Sequence, residues 1–231
     1  QQYSNASVHL YTDTAVTLTL LDRIHQMLQQ TTVHDRVIVS YSGHGLLDTG
    51  YNFYLASYAS SFEQPALHSI PYNSLTNIFT NVPARQKLLL IDACHSGEID
   101  KENVQFNFGN SMAAKPVGRS SIRKVQRKTQ LGNTVKLMET YFTDVSKDLG
   151  INIIAAAAGE EYALESSEWN NGVFSYSFMQ ALFDKKADSN YDKKITQTEL
   201  RKYMQQRVQE LTNGKQQPTS RSVNASYDWA F

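Results

Sequence analysis

Leu88-Leu89-Leu90-Ile91-Asp92-Ala93-Cys94-His95-Ser96-Gly97 decides the architecture of this chain. A short apolar run from Lys87 to Ile91, closed by small and polar residues, has the pattern of a strand buried on both faces of a parallel sheet. Just beyond it stands Cys94, the single cysteine of the sequence. A second stretch has the same form: Arg36 to Tyr41 reads as a strand that stops at Ser42-Gly43-His44-Gly45. His44 and Cys94 are 50 residues apart, enough for a crossover between the two strands. Strands joined by a helical crossover lie parallel, and in open parallel sheets functional groups collect beyond the carboxyl ends of the strands.

The residue types at those ends suit nucleophilic catalysis. A thiol attacks as the thiolate, an imidazole carries protons near neutral pH, and small neighbours such as Gly45 and Gly97 leave room for a substrate backbone. A free cysteine is otherwise a small buried hydrophobe, and a lone histidine a satisfied polar group. Their pairing at two strand ends favours catalysis over both. Zinc at Cys94, His95 and His44 lacks the second cysteine or spaced histidine pair that a four-ligand site needs, so no metal is expected there.

Outward from these blocks the chain alternates strand and helix. Val8 to Tyr11 reads as a strand. Thr14 to Gln29 reads as a helix, with Val16, Leu20, Ile24 and Leu28 on one face. Tyr51 to Ala56 is expected as a short hairpin arm, and Pro71 opens a helix through Phe79. Later come a helix near Val135–Leu149, a strand at Ile151–Ala157, and helices at Phe174–Lys185 and Thr198–Leu211. Met138, Phe142, Phe174, Phe178 and Met204 are read as core. The expectation is an α/β fold, a three-layer sandwich with a mostly parallel central sheet and helices on both faces.

At 231 residues the chain has the size of one large domain with a substantial core. Lysine plus arginine equals aspartate plus glutamate at 22 each, so no global charge points to nucleic acid or a membrane. A single cysteine admits no internal disulfide and fits a reducing compartment, hence a cytoplasmic expectation. There is no apolar run near about 18 residues and no signal-peptide pattern.

Tyr41-Ser42-Gly43-His44-Gly45 and Asp92-Ala93-Cys94-His95-Ser96-Gly97 resemble the two catalytic motifs of the caspase and metacaspase superfamily, the second in its metacaspase and bacterial caspase-like form. The His-to-Cys interval is also that of caspases. Gly172-Val173-Phe174-Ser175-Tyr176 and Gln217-Pro218-Thr219-Ser220-Arg221 resemble bacterial caspase-like domains too, so the likeness covers most of the chain. It implies a Cys/His dyad peptidase. Cys94 attacks the scissile carbonyl, His44 protonates the leaving amine, and the N–H groups of Gly45 and Cys94 form the oxyanion hole. In metacaspases the positions of Asp92 and Ser42 line the pocket for the residue before the scissile bond, and a carboxylate there selects Arg or Lys. Read without the resemblance, Asp92 is a carboxylate capping the turn before Cys94. Glu160, Glu161 and Glu165 are either pocket wall or a solvated loop, the loop being preferred.

The resemblance also implies a large-subunit part at about residues 1–105, a linker at about 106–133 and a small-subunit part at about 134–231, all within one domain spanning 1–231. The caspase-like fold begins with a strand and helix ahead of the segment matching Val8–Tyr11, so a separate N-terminal fragment or an attached sensor module is an expected partner, beside a protein or peptide substrate. Residues 98–133 carry no periodicity and hold Lys115, Arg119, Arg123, Lys124, Arg127 and Lys128. An enzyme that prefers Arg or Lys could cut itself at Arg119–Lys128; an uncut solvated loop and, with no aromatic interleaved, a nucleic-acid patch are the other readings.

Asp188, Asn190, Asp192 and Glu199 occupy positions 1, 3, 5 and 12 of a calcium-loop pattern, but Lys193 stands where the sharp turn wants glycine. The expectation is therefore a turn that caps the following helix, without a cofactor. An inactive or scaffolding homologue that binds partners is the alternative function, and a calcium-responsive module a further one.

Overall fold

The structure, a computed structural model, describes residues 5–50, 52–95, 149–156, 165–166, 171–221 and 228–231. Strands β1 (Arg36–Leu47), β2 (Phe53–Leu55), β3 (Ile70–Pro71), β4 (Gln86–His95), β5 (Asn152–Ala155) and β8 (Thr219–Arg221) form a six-stranded sheet in the order β3-β2-β1-β4-β5-β8. The central strands β1, β4 and β5 are parallel, and antiparallel pairing is confined to the short strands at the edges. A separate two-stranded ribbon joins β6 (Glu165–Ser166) to β7 (Asn171–Gly172). The helices are α1 (Leu18–Gln29), α2 (Tyr72–Asn77), α3 (Val173–Leu182) and α4 (Gln197–Leu211).

Alternation along the strands divides the core in two. Val37, Leu89, Ile91, Ala93, Ile153 and Ala155 point to one face, where Leu21 of α1 and Tyr72 and Leu75 of α2 cover them. Leu88, Leu90 and Ile154 point to the other, against Phe174 of α3 and Leu200, Met204 and Val208 of α4. Helices therefore lie on both faces of the sheet, as the alternating pattern predicts. On the second face the cover is uneven. Ile38, Ser40, Ser42 and His44 of β1 share that face and are all exposed, whereas their β4 neighbours Leu88, Leu90 and Asp92 are buried.

Several boundaries differ from expectation. Both central strands run on through the small residues expected to end them: β1 continues to Leu47 and β4 to His95. The reason is mutual, because each supplies the ladder that holds the other, residue for residue from Arg36↔Gln86 to Gly45↔His95. Val8–Tyr11 is not a strand. It lies outside the ladders of the described residues, and Val8 and Leu10 are each 82% exposed. Helix α1 begins at Leu18 instead of Thr14, since Thr17 provides its N-cap and accepts from the Leu20 N–H at 3.3 Å. Helix α2 ends at Asn77, short of Phe79, while Phe79 remains core. The Val135–Leu149 helix, with Met138 and Phe142, lies outside the described residues apart from Leu149. Phe174 and Met204 are buried, and Phe178 packs at the core margin. No helix among the described residues is long and apolar enough to cross a membrane.

Candidate active site

The β1–β4 register brings the two sequence blocks into one place. Ser42 is the ladder partner of Asp92, and His44 that of Cys94. Ladder neighbours in a sheet lie about 5 Å apart, and residues two apart on a strand share a face. All four residues therefore stand on the same face, at the carboxyl ends of adjacent parallel strands. The side chain of Cys94 lies outside the described ones, so its backbone position alone enters here.

Asp92 is 6% exposed. Burying a carboxylate is costly unless it is hydrogen-bonded, and Oδ2 accepts from Ser175 Oγ at 2.6 Å, a short charge-assisted contact. Ser175 lies in the first turn of α3, whose positive dipole end favours an anion. Gly172, the N-cap of α3, closes the same space: a Cβ there would come within 3.1 Å of Asp92 Oδ2. The carboxylate is thus clamped between β4 and the start of α3. Nothing in the local pattern around Asp92 pointed to Ser175, which is 83 residues away; Gly172 and Ser175 stood in a stretch noted only as family-like.

His44 sits differently. Its side chain is exposed, and its ring meets Phe62 edge-on, with centroids 5.4 Å apart and planes at 69°. Its carbonyl oxygen is held twice, by the Ala56 N–H at 2.9 Å and the Tyr41 hydroxyl at 3.0 Å. Tyr41 shares its one hydroxyl proton between that carbonyl and the Ala56 carbonyl at 2.9 Å, and burial pushes its phenol well above the usual range, while the Ala56 bond pulls the other way. The ring of Tyr41 folds back over Gly43, where an added Cβ would come within 2.6 Å of the hydroxyl. Gly43 is therefore needed by Tyr41. Because the His44 carbonyl faces β2, the backbone groups of Gly45, one residue on, face β4. Gly45 itself is buried.

Other expected residues are placed apart or not at all. Arg119, Arg123, Lys124, Arg127 and Lys128, with Glu160 and Glu161, lie outside the described residues, as does the side chain of Glu165. In the Asp188–Glu199 turn, Asp188 accepts from the N–H groups of Asp192 and Lys193, Asn190 from that of Asp192, and Asp192 from that of Lys194. Glu199 accepts from Ser189 and Thr196, and with Thr196 it forms a capping box at the start of α4. Lys193 adopts a left-handed φ of 68°, the conformation a glycine would take without strain. These oxygens hold the turn and cap the helix.

A parallel sheet that pairs a histidine with a cysteine near the ends of adjacent strands places together the residue types that a thiol hydrolase uses. A family model described as a caspase domain, of the peptidase C14 group, matches residues 7–227, and the chain belongs to this cysteine peptidase family. A crystal structure of a protein from Geobacter sulfurreducens is similar in fold, with a TM-score of 0.53 at 16% identity, over 92% of this chain and 76% of that one. No curated protein matches the chain.

Proposed function

We propose that the protein is a cysteine endopeptidase that cleaves after Arg or Lys through a Cys94/His44 dyad. The observation that carries this reading is the β1–β4 register, in which His44 pairs with Cys94 and Ser42 with Asp92 on one face. In the reaction the Cys94 thiolate attacks the scissile carbonyl carbon, a C–S bond forms, and the carbonyl electron pair moves to oxygen. The N–H groups of Gly45 and Cys94 are the donors that the family resemblance assigns to that oxyanion, which requires the end of the β1–β4 ladder to open at Gly45. Collapse breaks the C–N bond while His44 delivers a proton to the departing amine, and water, deprotonated by His44, then hydrolyses the thioester.

Asp92 and Ser42 form the pocket for the basic residue. A buried carboxylate that keeps one oxygen on Ser175 and faces exposed Ser42 across the ladder suits a guanidinium or ammonium group. The same specificity would let the enzyme cut its own chain at Arg119, Arg123, Lys124, Arg127 or Lys128, in the region between the two catalytic halves and the α3–α4 part. Fluorogenic peptides ending in Arg, Lys, Asp or Leu test the assignment: turnover after Arg and Lys that disappears in Cys94→Ala supports it. Cleavage after Asp or Leu would keep the dyad and remove Asp92 as selector, and silence in every case would favour a scaffolding homologue. An intact band after prolonged incubation of active enzyme would remove self-processing.

A further inference from the structure

We infer that Phe62 forms the wall of a subsite for the residue that follows the scissile bond, and that this subsite takes an apolar side chain. The inference rests on the peptidase reading above and adds a second specificity element to it. Phe62 is 41% exposed although it is a large apolar ring, and its one described aromatic partner is the imidazole of His44. Its geometry, 5.4 Å and 69°, is that of a favourable edge-to-face pair, so Phe62 both orients the imidazole and leaves part of its own surface to solvent.

Sheet order fixes which side of the scissile bond this is. Phe62 belongs to the connection from β2 to β3, and β2 lies on the side of β1 away from β4. The Ala56 N–H bond to the His44 carbonyl roots the start of that connection beside the histidine. Asp92, Gly172 and Ser175 lie on the β4 side instead. A peptide with its basic residue against Asp92 and its carbonyl at Cys94 then passes His44 with the leaving nitrogen, and the next side chain meets Phe62. Tyr58 and Leu67 of the same connection are also exposed, so apolar surface is concentrated in this segment.

Internally quenched peptides with Arg before the scissile bond and Leu, Phe, Ser or Asp after it provide the test, with wild type, Phe62→Ala and Phe62→Leu. Wild type is expected to favour Leu and Phe over Ser and Asp by about tenfold in kcat/KM, the worth of a few apolar contacts. Phe62→Ala should erase the preference and Phe62→Leu should retain most of it. A loss of folding would slow every peptide alike, so the ratio separates a subsite from a merely structural contact. An indifferent wild type, or a preference unchanged in Phe62→Ala, would overturn the inference while leaving the peptidase standing. Wild type that cuts none of the peptides would overturn both.

Discussion

Asp92 and His44 stand on the same face of neighbouring strands, yet one is clamped and the other is open. Helices α3 and α4 cover β4 on that face, so Asp92 is enclosed and bonded to Ser175. Over β1 no helix among the described residues covers that face, and His44 is fixed by its backbone and by one aromatic edge. The difference suits the two proposed roles. A group that recognises charge gains from rigidity, because preorganised hydrogen bonds need no rearrangement when the ligand arrives. A group that accepts and gives protons must reach both leaving group and water, which exposure allows.

With the Cys94/His44 pair itself set aside, breaking the clamped side should have the largest effect. Asp92→Asn is expected to lower kcat/KM for Arg peptides by about 10²-fold or more, since the proposed charge partner of the basic side chain is removed. Gly172→Ala probes the same side more gently. Its Cβ, 3.1 Å from Oδ2, displaces the carboxylate by a few tenths of an ångström, with a loss of about tenfold on Arg peptides. Ser175→Ala leaves a buried carboxylate short of a donor and should cost about 1.5–3 kcal/mol in denaturant unfolding.

Changes on the open side should be smaller. Tyr41→Phe removes the hydroxyl that ties the His44 and Ala56 carbonyls together, and a loss of about 1 kcal/mol is expected, measured by the same unfolding titration. Glu199, in the first turn of α4, gives the mildest effect. Burial is the largest single influence and opposes ionisation, but the bonds from Thr196 and Ser189 together outweigh it and hold its carboxyl below the usual range. A group with a lowered folded pKa contributes stability above its unfolded value of about 4.5, and that contribution is lost as pH falls through the folded value. Melting temperature should therefore decline on acidification below that point, and Glu199→Gln should flatten the decline.

Periodicity carried the strands and helices well, because burial on two faces leaves continuous apolar runs and one-sided burial leaves a stripe. It failed at ends. Ser42-Gly43-His44-Gly45 looks like a strand terminator, but a parallel neighbour of equal length extends both strands, and that pairing is invisible in either segment alone. Val8–Tyr11 failed for the converse reason: a good strand composition without a ladder partner among the described residues makes no strand, and Val8 and Leu10 stay exposed. The site divides in the same way. Two short motifs pointed to His44, Cys94, Asp92 and Ser42 as candidates, and the β1–β4 ladder sets them side by side. The residues that set their environments, Ser175, Gly172, Phe62 and Tyr41, act through tertiary contacts that no local spacing encodes.

The most direct test of the account is the rate of hydrolysis of an Arg-ending fluorogenic peptide by the protein, by Cys94→Ala and by His44→Ala, with an Asp-ending peptide alongside. The account predicts turnover of the Arg peptide alone, reduced by about 10³-fold or more in each variant, as when a nucleophile or its base is removed. Turnover that survives in Cys94→Ala, or that favours the Asp peptide, would contradict it.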